Sequence, residues 1–186
     1  MGPVRQSSLP GFNIAAKKLE GMVTFGAVDI SKYRDVTPRF QINTLPSYRI
    51  FHSHGVAHYL NLYRNESAFI KASKAYLPNY SETPDASWIS NGESAAILFV
   101  DSGEIPIYWL SIGCNFHDSN DSNDSRIHIG FTNETSAFKQ FHIARNETVL
   151  LSKNGSTKQI PGNVPFKELL TSIRSYFKEE EQEKEL

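Results

Sequence analysis

Only one side chain in the 186 residues can supply a thiolate, Cys114. A single cysteine forms no intrachain disulfide and no C-x-x-C pair, so redox cycling between two sulfurs of this chain is excluded. Cys114 stands among Trp109, Leu110, Ile112 and Phe116, where a free cysteine acts as a small packing residue; the alternative is a reactive thiol that forms an intermolecular disulfide. Three of the six histidines, His52, His54 and His58, cluster around one turn. His52 and His54 share a face if the stretch is a strand. Zinc needs three or four converging ligands with second-layer support, so no metal site is expected. The run His117–Ser125, HDSNDSNDS, is rich in side-chain oxygens. It lacks the spacing and the closing glutamate of a calcium-binding loop, and a flexible polar loop is expected instead. No G-x-S-x-G, Gly-rich phosphate loop or H-E-x-x-H occurs, and no cofactor is implied.

Composition narrows the remaining classes. The net charge is −1 and Lys and Arg are not clustered, which gives no footing for nucleic acid. No apolar run approaches the roughly 20 residues that span a bilayer. Seven Asn-X-Ser/Thr sequons begin at Asn65, Asn79, Asn120, Asn123, Asn133, Asn146 and Asn154, where composition would give about two. The excess points to a glycoprotein of the secretory pathway.

The hydrophobic pattern supplies the scaffold. Leu9, Phe12, Ala16 and Leu19 make one helical stripe, closed by Gly21. The apolar run Val23–Ile30, VTFGAVDI, suits a strand covered on both faces. A short helix is expected around Tyr33–Phe40 with Val36 and Phe40 inward. An X-Pro corner at Leu45-Pro46 follows, where a cis peptide is cheap. A hairpin then pairs Ser47–Phe51 with Val56–Tyr63. Asn65 caps a last helix that buries Phe69, Ile70, Tyr76 and Leu77. Pro78–Asp85, PNYSETPD, reads as a linker.

The pattern then restarts. AAILFVD (Ala95–Asp101) is a strand ending in an acid, and Glu104–Phe116 a helix with Pro106 in its first turn. Arg126–Asn133 is a strand and Glu134–Ile143 a helix. Thr148–Ser152 is a strand, followed by a turn at Asn154-Gly155. The final helix begins at Pro165 with a stripe of Phe166, Leu169, Leu170, Ile173 and Phe177. Phe40 with Phe141, and Gly55 with Gly155, mark an internal repeat of about 100 residues.

This order, a strand ending in Val-Asp, a short helix, a proline corner and a hairpin, resembles the second half of a thioredoxin-fold domain of the protein disulfide isomerase family. The opening Met1-Gly-Pro-Val-Arg is similar to the Cys-Gly-Pro-Cys-Arg of the family's redox motif, with Met1 and Val4 where the two cysteines fall. The resemblance implies an α/β fold of two tandem thioredoxin-like domains, each a mixed central sheet flanked by helices. The first, residues 1–80, lacks the N-terminal β-α-β portion, including the central strand that precedes the motif. A linker at 81–87 leads to a second domain at 88–179 and an acidic tail at 180–186. Strands robbed of the central one leave unpaired edges, each buried orphan group costing about 1–3 kcal/mol, so residues 1–80 are expected to be marginal or open.

Neither a thioether nor a valine attacks a disulfide. In the second domain no cysteine opens the first helix, and Asn146 or Glu147 takes the place of the cis-proline. The resemblance therefore implies a redox-inactive chaperone that binds unfolded clients without covalent chemistry, through Val4, Leu45 and Pro46, with co-chaperone contacts. The alternative is the C-terminal part of a larger thiol–disulfide oxidoreductase or J-domain co-chaperone whose C-x-x-C lies upstream. The last residues, Glu183-Lys184-Glu185-Leu186, are similar to the K-D-E-L retention tail of the endoplasmic reticulum lumen. Residues 1–12 carry no apolar signal segment, so a fragment or isoform is expected.

Overall fold

Pro3 at the head and Gly21 just past the end bracket the first helix, α1 (Pro3–Lys18); Gly21 takes the left-handed conformation, φ 83°, that closes a helix without a Cβ clash. The computed structural model describes residues 3–59, 64–101, 103–119 and 126–178, and the side chains of all of these but 3–8. The chain divides into two compact units, Met1–Leu77 and Pro78–Leu186.

In the first unit Leu19 of the expected stripe is buried, Phe12 and Ala16 are half-buried and Leu9 is 53% exposed, while Ala15, outside that stripe, is buried. The expected strand at Val23–Ile30 does not form; the run is irregular and Val28 is 58% exposed. An apolar run becomes a strand only against a partner, and none stands beside it among the described residues. Short helix α2 (Val36–Arg39) leads through Phe40 into the corner, with Val36 and Phe40 half-buried. The Leu45-Pro46 peptide is cis. Strands β1 (Arg49–His52) and β2 (Gly55–His58) form an antiparallel hairpin with Ile50 opposite Ala57; residues 60–63 of the expected second strand lie outside the described residues. Helix α3 (Glu66–Ala75) begins at Asn65, whose Oδ1 accepts from the Ala68 N–H at 2.9 Å. It buries Phe69, leaves Ile70 and Leu77 half-buried, and leaves Tyr76 exposed, contrary to expectation. One aromatic cluster holds these pieces together: Phe12 of α1 meets Phe25 at 5.1 Å, Tyr48 at 6.0 Å and Phe69 at 5.5 Å.

The second unit is built around β3 (Ala95–Phe99), all five residues of which are buried. Helix α4 (Ser87–Ser90) precedes it. After β3 come α5 (Ile107–His117), β4 (His128–Thr132), α6 (Thr135–Gln140), β5 (Thr148–Lys153), β6 (Ser156–Pro161) and α7 (Phe166–Lys178). The sheet runs β4-β3-β5-β6; β4 is parallel to β3, and β5 and β6 are antiparallel additions. Pleating splits the core. On one face Ala95, Ile97, Phe99 and Leu150 pack with Trp88, Phe141 and Ile143. Ala96, Leu98, Val149 and Leu151 face the other way, all buried. Helices α5 and α7 bury Trp109, Ile112 and Phe116, and Leu169 and Ile173, and Arg174 lies over the Phe116 ring at 5.7 Å.

Three local expectations change. Pro106 is the N-cap of α5 rather than part of its first turn. The left-handed pair Asn154-Gly155, φ 51° and 77°, turns the chain into β6, an edge strand the sequence reading does not contain. Within the expected linker, Glu82 pairs with the outer edge of β4: its N–H donates to Ile129 O at 2.8 Å and its carbonyl accepts from Phe131 N at 3.0 Å.

Candidate functional site

The first-unit corner is built from short-range chemistry. Helix α2 ends when Gln41 turns left-handed, φ 50°, and Ile42 N–H reaches back to Thr37 O at 2.9 Å. The chain then passes Leu45-Pro46 into β1. Arg49 fixes this path. Its Nη1 donates to Ser47 Oγ at 2.6 Å and to Tyr48 O at 3.0 Å, and its Nη2 to Phe40 O at 2.8 Å and Gln41 O at 3.4 Å. A guanidinium spread over three carbonyls and a hydroxyl acts as a brace, because its fork holds several acceptors in one plane. Its Nε is buried and lacks a partner.

A cavity of about 350 Å³ opens beside this corner, walled by Gln41, Asn43, Pro46, Arg49, His58 and Arg64 among others, with no carboxylate in its lining. Arg64 also sits 5.7 Å from the centre of the Tyr48 ring. Donors without opposing acids suit carbonyls and carboxylates. The sequence reading misses Arg49 and Arg64, which lie on different elements and share no motif; only the fold brings them to one wall.

Of the residues expected to contact a substrate, Leu45 is 43% exposed and Pro46 lines the cavity. Val4 lies in the first turns of α1, with its side chain outside the described residues; Met1 and Gly2 of the motif-like opening also lie outside them. The histidines do not converge: the His52 ring lies 4.9 Å from the Tyr76 ring at a tilt of 35°, and His54 N–H donates to His52 Nδ1 at 3.3 Å. Among the described residues no three His, Cys, Asp or Glu side chains meet as a metal site would require.

The equivalent corner of the second unit has other chemistry. Ile107 opens α5 after Pro106. Asn146 and Glu147 occupy the corner, with Glu147 left-handed at φ 50°. Asn146 Oδ1 accepts from Asp101 N at 2.7 Å and from Glu147 N at 2.8 Å. Asn133 Nδ2 donates to Gly103 O at 2.9 Å. The Tyr108 hydroxyl is buried without a partner; burial first, then the Glu147 carboxylate, pushes its pKa up to about 12. No group here attacks a disulfide. Cys114 lies farther along α5, half-buried, with Sγ 3.9 Å from Pro78 O. Burial, and then Asp118, raises its pKa above the ordinary thiol value, which lowers its thiolate fraction.

Five of the seven sequon asparagines are described, and all five are exposed. Asn65 caps α3, and Asn79 Oδ1 accepts from Ser81 N at 2.9 Å. Asn120 and Asn123, with most of the oxygen-rich loop and the acidic tail, lie outside the described residues.

No protein-family model matches the sequence, and no curated protein sequence matches it either. Solved structures do resemble the fold. Full-length ERdj5 superposes with a TM-score of 0.57 at 14% identity, over 94% of this chain and 28% of that one. ERdj5 form II gives 0.51 at 14% identity, over 94% of this chain and 25% of that one. Zinc-bound human ERp44 gives 0.39 at 15% identity over 93% and 52%, too low to bear on the architecture. The ERdj5 structures share this architecture, and the mixed sheet with its flanking helices is thioredoxin-like. The chain spans about a quarter of the length of the ERdj5 structures it resembles.

Proposed function

We propose that the chain is a redox-inactive, thioredoxin-like client-binding module of the secretory pathway. It holds unfolded polypeptide without covalent chemistry at the first-unit corner, through Leu45, Pro46 and, from α1, Val4. The observation that carries this reading is the distribution of apolar surface. Among the described residues the large hydrophobic side chains left exposed are Leu9, Ile14, Val28, Tyr33, Leu45, Phe51, Val56 and Tyr76, every one of them in the first unit. Exposed apolar groups gathered on one half of a protein mark an interaction surface. The cavity beside Pro46 adds donors for a client's backbone carbonyls.

The likeness to the ERdj5 structures and the seven sequons support a place in the endoplasmic reticulum lumen, with the sequon asparagines as glycan acceptors. Because the chain spans only 28% of full-length ERdj5, a second reading stands beside the first: this is one part of a larger oxidoreductase or J-domain co-chaperone whose catalytic cysteines lie elsewhere.

The test is suppression of aggregation of a reduced, unfolding client by the purified chain. Stoichiometric protein is expected to suppress light scattering, and Leu45→Glu with Phe51→Glu to weaken the effect. No suppression at equal molar amounts refutes the reading. Reduction of insulin disulfides by this chain alone refutes both.

A further inference from the structure

The thirty residues between Asp35 and Glu66 hold no acid, three arginines and three histidines. At the chain's own frequency, 20 acids in 186 residues, about three would fall there. The fold gathers part of this charge on one cavity. Arg49, His58 and Arg64 line it, with no carboxylate in the same wall. Glu66, the acid nearest Arg64 in sequence, is taken by Lys18 Nζ at 2.5 Å.

The two arginines differ in what they have left to give. Arg49 spends its four Nη hydrogens on Ser47 Oγ and on the carbonyls of Tyr48, Phe40 and Gln41. None of those acceptors is charged, so its positive charge stands half-buried without a counter-charge. Arg64 is half-buried too, over the Tyr48 ring. A ring attracts a cation without using its N–H groups, and no described acceptor takes those of Arg64. Tyr48 is itself packed among Phe12, Tyr59 and Phe69, so the guanidinium rests on a fixed platform with its donor fork open. The neighbouring phenol brings no negative charge: burial, then Tyr48, raises the Tyr59 pKa, although Arg64 draws it down.

An open fork matches the two oxygens of a carboxylate, and Gln41 and Asn43 supply neutral donors in the same wall. The volume, about 350 Å³, admits an acidic side chain. Pro46, where the client is placed, also lines the cavity, and the anions that an unmodified polypeptide brings are carboxylates. We infer that the cavity clamps a carboxylate of the bound client, an Asp or Glu side chain or a free chain end, on the fork of Arg64 in the field of Arg49. This rests on the client-binding reading above and makes it selective for an acid beside an apolar segment.

The experiment uses the full chain and three labelled peptides of one apolar sequence. The first carries a central Glu and an amidated end, the second Gln and an amidated end, the third Gln and a free carboxyl end. By fluorescence anisotropy the first or the third is expected to bind at least about tenfold tighter than the second. A lead of the first assigns the side chain, and a lead of the third the chain end. Arg64→Gln is expected to abolish the lead. Arg64→Lys keeps a cation beside Tyr48 but loses the fork, and is expected to cut the lead several-fold with thermal unfolding unchanged. Arg39→Gln removes a charge from the same stretch outside the cavity and is expected to keep the lead.

Equal affinity for the three peptides overturns the inference. So does an equal loss from Arg39→Gln and Arg64→Gln, which assigns the preference to net charge. Aggregation suppression measured on the same protein separates the two readings. Suppression without a carboxylate preference sinks the clamp and leaves client binding standing; a carboxylate preference without suppression does the reverse.

Discussion

Gln41 and His142 hold the same left-handed backbone, φ 50° and 55°, at equivalent places about 100 residues apart. Each follows a short helix and a phenylalanine, and each is closed by the same pair of bonds. Gln41 N and Ile42 N reach Pro38 O and Thr37 O at 3.4 and 2.9 Å; His142 N and Ile143 N reach Lys139 O and Phe138 O at 3.3 and 2.8 Å. This closure satisfies the last carbonyls of a helix and favours glycine at the left-handed residue. A Cβ there costs about 1–2 kcal/mol, partly offset by the stiffer unfolded chain. Gln41→Gly and His142→Gly are therefore each expected to raise stability by about 0.5–1 kcal/mol in denaturant unfolding. A loss at either position means that the side chain, not the backbone, decides.

Gly130 and Trp109 fix the core of the second unit. Trp109 is fully buried, and its Nε1 donates to Gly130 O at 2.9 Å. A Cβ on Gly130 would lie 3.0 Å from Ile97 Cγ1 and 3.2 Å from Trp88 Cζ3. Gly130→Ala is expected to cost about 1–3 kcal/mol by overpacking, and Trp109→Phe a similar amount, about 1–3 kcal/mol, by the lost Nε1–H bond and the space the smaller ring leaves in the core. Thermal unfolding followed by near-ultraviolet dichroism measures both.

Tyr108 predicts an alkaline effect. Its folded pKa, about 12, lies above the ordinary tyrosine value of 10.0. A raised pKa means that its stabilising contribution is full below the unfolded value and is lost as pH rises from there through the folded one. Spectrophotometric titration is expected to show one phenol ionising near pH 12, and Tyr108→Phe to remove that step. Since the hydroxyl is buried without a partner, the variant gains up to about 1 kcal/mol at neutral pH.

Cys114 is expected to alkylate slowly with iodoacetamide at pH 7 and faster as pH climbs past the ordinary thiol range, because burial and Asp118 hold the proton on sulfur. A rate at pH 7 equal to that of free cysteine contradicts the geometry. Cys114→Ala is expected to leave aggregation suppression unchanged, since the proposed binding uses no sulfur.

Asn65 separates capping from modification. Its Oδ1 holds Ala68 N–H, whereas a glycan attaches to the amide nitrogen, so both fit on one side chain. Asn65→Ala is expected to cost about 1 kcal/mol; Asn65→Asp keeps the cap and removes the sequon. Equal losses from the two variants argue against the cap.

The sequence disclosed those features whose cause is local or periodic. Asn65 before an apolar stripe gave α3, Asn154-Gly155 gave a turn, and AAILF gave the enclosed strand at the centre of the second sheet. It misled where structure depends on a distant partner. VTFGAVDI has a strand's composition but no neighbour to bond among the described residues, and it is irregular. STKQIP of β6 looks like loop because an edge strand with exposed residues carries no apolar alternation. Leu9 and Tyr76 fit their stripes yet lie on surface that nothing in the described first unit covers. Arg49 and Arg64 carried no signal at all, since only folding gathers them beside Pro46.

The borders of the second sheet have a further consequence. On one side Glu82 lies along β4; on the other, β6 turns Thr157, Lys158 and Gln159 outward and ends in Pro161. A sheet fenced with charge and proline on its last rung offers no template for stacking into fibres. Edge-to-edge growth through this sheet is therefore disfavoured on both of its described borders.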